Sequence, residues 1–78
     1  MAREPKRQDK VLLHLVIVRE TENAILAWDA EDPNGGEHNA QWCPKSQCTT
    51  TGLIKSIRGE DAVEYKVRRW IATEKGWV

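Results

Sequence analysis

The run Val11-Leu12-Leu13-His14-Leu15-Val16-Ile17-Val18 limits most strongly what this chain can fold into. In a pleated ribbon successive side chains point to opposite faces. Here both faces are apolar, with His14 the only interruption. Such a run suits a strand covered on both sides, or one wrapped into a closed barrel. It is too short to cross a bilayer as a helix, which takes about 20 apolar residues. The first ten residues are polar, so no signal peptide and no membrane association are predicted.

The flanking segments read as neighbours for that strand. Residues 1–9 lack apolar periodicity and contain Pro5, which predicts a flexible tail ahead of a single small β domain over 10–78. The first strand is expected over Lys10–Arg19. Glu20-Thr21-Glu22-Asn23 is a polar turn, with Asn23 suited to positive φ, and Ala24–Trp28 completes a hairpin. Residues 29–38 form an exposed acidic loop in which Asn34-Gly35 is the strongest short turn signal. Asn39–Cys43 is a short third strand stopped by Pro44, and 44–48 is a helical turn or irregular corner. Thr49-Thr50-Thr51-Gly52 reads as turn or edge, Leu53–Arg58 as a fourth strand and Gly59-Glu60-Asp61 as a turn. Val63, Tyr65 and Val67 then alternate with Glu64, Lys66 and Arg68, the pattern of a half-buried strand with a charged outer face.

At the C-terminus, Trp70–Lys75 reads as a short helix with Gly76 as its left-handed cap and Trp77 folding back on Ile71 or Ala72. A helix this short needs tertiary contacts, and Trp70 and Ile71 are expected to dock it. The chain is thus predicted to be mainly β. Its five antiparallel strands would form a curled sheet or partly open barrel, SH3-like or OB-like, with a short C-terminal helix. Phe is absent, so the four Trp and one Tyr are expected mostly to fill the core.

Twelve basic and twelve acidic side chains give zero net charge, which argues against a strong nonspecific polyanion binder. The charges are nevertheless segregated. Residues 23–42 hold Asp29, Glu31, Asp32 and Glu37 and no Lys or Arg, whereas 43–78 hold seven basic against four acidic residues. An ordinary mixed surface is the plain interpretation, and an electrostatic docking face the functional one.

Trp42-Cys43-Pro44-Lys45-Ser46-Gln47 and Trp70-Ile71-Ala72-Thr73-Glu74-Lys75-Gly76 together resemble a group of small proteins that recur in bacteriophage and mobile-element sequences. Those proteins carry a hairpin ending in a Trp-x-Pro-Lys-Ser corner, two more strands and a Trp-x-Ala-x-x-Lys-Gly helix. The resemblance spans roughly residues 11–77 and implies a fold and a phage-like setting; it carries no established activity. Cys43 stands where an aliphatic residue is common in the group, and the 29–38 loop is unusually long and acidic.

Chemistry-bearing constellations are sparse. His38, Cys43 and Cys48 are spaced H-x4-C-x4-C, a poor match to zinc sites, which use four ligands and tight Cys pairs. Two cysteines without a secretion signal imply reduced thiols in a cytoplasm. Cys43 then reads as a small buried hydrophobe and Cys48 as a partly exposed thiol. A 43–48 disulfide is sterically conceivable and disfavoured in that compartment. His14 reads as a core or sheet-edge histidine bonded to a neighbour. A Cys–His nucleophile lacks an orienting third group. The acidic loop matches no EF-hand, and Asn34-Gly35-Gly36 lacks the Lys-Ser/Thr of a phosphate loop.

The expectation is therefore a non-enzymatic, cytoplasmic binding module without a cofactor or metal. It would act by protein–protein contact through Asp29, Glu31, Asp32 and Glu37. Inhibition of a host defence nuclease, with the loop in a basic nucleic-acid channel, is one concrete form. The alternative is a small barrel that binds single-stranded nucleic acid through Lys55, Arg58, Lys66, Arg68 and Arg69, with exposed Trp28, Trp42 or Tyr65 for stacking. A homodimer through an edge strand is a further expectation.

Overall fold

A computed structural model describes residues 9–78. The proposed tail falls on residues 1–8, outside the described residues, except for its last member, Asp9. The chain forms β1 (Lys10–Glu20), β2 (Ala24–Asp29), β3 (Gln41–Pro44), β4 (Cys48–Ile57), β5 (Glu60–Arg68) and a helix, α1 (Arg69–Glu74). Short 3-10 turns occupy Glu37–Asn39 and Lys45–Gln47. The strands make one open antiparallel sheet in the order β3-β2-β1-β5-β4. The expected mainly β architecture with a terminal helix is therefore present, and the long apolar run is its central strand.

β3 and β4 lie at opposite edges of the sheet, yet only Lys45–Gln47 separates them. In a flat sheet the edges of five strands stand about 19 Å apart, at about 4.8 Å per step. Four residue steps reach at most about 14 Å when fully extended, and less in a 3-10 turn. The sheet must therefore curl until its edges meet at this corner. The curl creates the core, in which Leu13, Leu15, Ile25, Ala27, Cys43, Cys48, Val67, Ile71, Ala72 and Trp77 form one buried cluster. Cys48 is thus buried, not partly exposed as its sequence context suggested.

The helix end follows the glycine-cap expectation. Gly76 has φ 79°, its N–H donates to the Thr73 carbonyl at 3.1 Å, and the Trp77 N–H donates to the Ala72 carbonyl at 2.8 Å. That pair of bonds is a Schellman cap, and it turns Trp77 into the core. Ile71 docks beside it, but Trp70 does not: it is 51% exposed.

Other local expectations need correction. Asn23 does not take positive φ; Arg58, at φ 53°, is the only non-glycine residue that does so among the described residues. The Thr21 hydroxyl instead closes the first turn by bonding the Ala24 backbone. Asn39 belongs to a 3-10 turn, so β3 starts at Gln41. Thr49–Gly52 is strand with a register irregularity between Thr50 and Ile54. The final reversal is the two-residue turn Arg58-Gly59, since Ile57 pairs with Glu60. Nor is β1 covered equally on both sides. Leu13 and Leu15 are buried in the core, while on the other face Leu12 is exposed and His14 half-buried.

Candidate protein-binding surface

The acidic loop after β2 is built by its own side chains. Asp29 accepts the Glu31 N–H at 3.0 Å and Asp32 accepts the Asn34 N–H at 2.9 Å. Backbone bonds from Asp32 to Asp29 and from Gly35 to Asp32 close two successive turns. The loop is anchored to the sheet where the Ala30 N–H donates to the His14 carbonyl at 2.8 Å. His14 adds a side-chain tie, with Nδ1 3.0 Å from a Glu31 carboxylate oxygen and Nε2 3.5 Å from one of Glu64. His14 is therefore a bonded sheet histidine. Burial pushes the Asp29 carboxyl above its usual range, and the Glu31 N–H it accepts opposes that shift in part.

Of the four loop carboxylates, Asp29 and Asp32 are half-buried and Glu31 is engaged with His14, leaving Glu37 exposed on its 3-10 turn. The loop folds over Trp28 and buries that ring. Gly35 lies so close that a Cβ there would stand 2.7 Å from Trp28 Cε3. Between the loop and β1 runs a groove of about 440 Å³ lined by Val16, Ile17, Val18, Trp28, Gly35, Gly36, Glu37 and Glu60. Val16, Ile17, Val18 and Trp28 contribute to its lining together with Glu37 and Glu60, both exposed carboxylates, and most of its accessible surface is polar. The charge run made the loop legible in the sequence. Val16, Val18 and Glu60 had no such signal, because only the fold of the loop over β1 brings them to it.

The basic residues are arranged differently. Lys66 pairs with Thr49 and Lys55 with Ala62, so both project from the sheet face that also carries Glu64 and Arg68. Arg58 sits in the tip turn, and Arg69 is paired with Asp9, its Nε 2.6 Å from the carboxylate. Of the aromatics proposed for stacking, Trp28 is buried, Tyr65 points to the core face, and Trp42, 44% exposed, stands on β3, the strand that the corner Lys45–Gln47 joins to β4.

Cys43 and Cys48 are both free and buried. Both thiols approach the Pro44 carbonyl, and the influence of each on the other lowers the Cys43 pKa and, together with burial, raises that of Cys48. Burial pushes the Tyr65 hydroxyl up. Among the described residues no group of three or more His, Cys, Asp and Glu is placed to hold a metal ion, so His38 does not join the two cysteines. No helix among them is long and apolar enough to cross a membrane.

Comparison with protein-family models, curated proteins and solved structures finds no match for this chain.

Proposed function

We propose that this protein is a non-enzymatic binding module acting by protein–protein contact, and that the groove between the acidic loop and β1 receives a basic segment of its partner. The observation that carries the reading is a groove in which two exposed carboxylates, Glu37 and Glu60, stand beside the aliphatic residues Val16 and Val18. A lysine or arginine side chain has matching chemistry: its methylene stem covers apolar surface while its charged head stays near the carboxylates. The loop is held by its own hydrogen bonds before any partner arrives, so binding orders little new backbone. A basic nucleic-acid channel, such as that of a host nuclease met by a phage or mobile-element protein, is the partner class such a surface fits.

The test is fluorescence titration of the full chain with a short peptide alternating Lys and Leu, since Trp28 lines the groove. Saturable change is expected, weakening as salt rises. Glu37→Lys with Glu60→Lys should weaken binding about tenfold or more, whereas Glu74→Lys on α1 should leave it unchanged. No saturable change, or equal loss in both variants, would reject the groove. Binding of a single-stranded oligonucleotide that is lost in Lys55→Glu with Lys66→Glu would replace this reading with the nucleic-acid alternative.

A further inference from the structure

The corner Pro44–Gln47 joins the two free edges of the sheet, and a cysteine stands on each side of it. Cys43 is the penultimate residue of β3 and Cys48 begins β4. Both thiols approach the same acceptor, the Pro44 carbonyl oxygen, at 3.7 Å from Cys43 Sγ and 3.4 Å from Cys48 Sγ. β3 has only β2 as a neighbour and β4 only β5, so no backbone ladder ties one edge to the other. The thiol pair sits on the seam where the curled sheet fails to close.

We propose that Cys43 and Cys48 form a peroxide-responsive dithiol–disulfide pair, and that the disulfide staples the β3 edge of the sheet to the β4 edge. Hydrogen peroxide is the oxidant class that suits the site, because both sulfurs are buried and a bulky disulfide could not reach them without opening the corner. Of the two, Cys43 has the lowered thiol pKa and supplies the thiolate, the nucleophilic form. That sulfur attacks one peroxide oxygen. The O–O bond breaks, and hydroxide leaves and takes up the proton lost from Cys43, giving water and a sulfenic acid. Cys48 sulfur then attacks the Cys43 sulfur. The S–S bond forms, the S–O bond breaks, and the second hydroxide departs as water with the Cys48 proton. Two thiols and one peroxide thus yield one disulfide and two waters. A thiol reductant reverses the step by exchange.

The fold makes the test direct, because Lys45 lies between the two cysteines and trypsin cleaves after it. The folded full chain is treated with dilute hydrogen peroxide, its remaining thiols are capped, and it is digested without reductant. The expected product is the peptide of residues 20–45 joined to that of residues 46–55. The intact chain should have lost two hydrogens, remained a monomer on a non-reducing gel, and gained a higher unfolding midpoint that returns to the starting value on reduction. Cys48→Ser should lose the joined peptide and collect added oxygen at Cys43 instead. The proposal is overturned if both thiols stay free after treatment, if they gain oxygen without joining, or if only chain-to-chain disulfides form. None of these results depends on whether the groove binds a partner.

Discussion

The two ends of the sheet contain the same kinds of residue and treat them oppositely. Near the corner, Leu13, Ile25, Cys43 and Val67 are covered by Ile71, Ala72 and Trp77. At the other end, Leu53 and Ile54 on β4 stand 62% and 67% exposed. Position in the sheet explains the difference. Ile54 pairs with Val63, which pairs in turn with Leu15, while Leu53 falls in the register irregularity between Thr50 and Ile54 on the edge strand β4. Alternation places an apolar side chain on a face, but a second layer must exist to bury it, and none covers β4 at these two positions.

The largest effect that sharpens this contrast is a pair of truncations. Leu15→Ala, at the fully buried centre of β1, should cost about 2–5 kcal/mol, enough to unfold much of so small a domain. Ile54→Ala, on the exposed hairpin, should change stability by no more than about 0.5 kcal/mol. Urea unfolding of both variants checks the difference, and a large loss for Ile54→Ala would break the comparison.

An intermediate effect is expected where the loop meets the sheet. Gly35→Ala inserts a methyl against the Trp28 ring, 2.7 Å from Cε3, and should destabilise by about 1–3 kcal/mol. Since the loop forms one wall of the groove, Trp28 emission should shift to longer wavelength as the ring becomes wetter. Unchanged emission would show that the loop does not seal that ring.

The smallest effect concerns Asp29. Its carboxyl pKa is raised by burial in the folded state, so the folded chain binds this proton more tightly than the unfolded chain. The associated stability is present below the unfolded value and is lost as pH rises through the folded one. Asp29→Asn keeps an oxygen to accept the Glu31 N–H while removing the buried charge. It should therefore be more stable than the parent at neutral pH, with the advantage shrinking as pH falls through the acid range. A constant difference across that range would show that charge burial is not the cause.

Much of the fold was legible because it rests on local chemistry. The β5 alternation, the apolar octet of β1 and the Gly76 cap each specify an element from a few neighbouring residues. The Thr-rich start of β4 was less legible. Thr49–Gly52 carries turn-like residues, yet Thr49 and Thr50 pair with Lys66 and Tyr65, so the β5 template outweighs local preference. The tryptophans could not be sorted by sequence, since burial depends on which layer lies opposite. Trp28 is covered by the acidic loop and Trp77 is turned inward by the helix cap, while Trp42 and Trp70 remain exposed. The loop's charge was likewise plain, but the aliphatic residues it faces and Glu60 on its rim belong to distant segments.

The amino-acid order by itself determined the strands, the turn-rich acidic loop and the capped terminal helix, because residue spacing and backbone preference act over a few positions. Only the tertiary structure decided that the sheet curls, that Cys43 comes to lie against Cys48, and that Val16, Trp28, Glu37 and Glu60 line one groove. Those outcomes depend on strand pairing across long stretches of chain and on a short connection drawing opposite edges together, which no local pattern encodes.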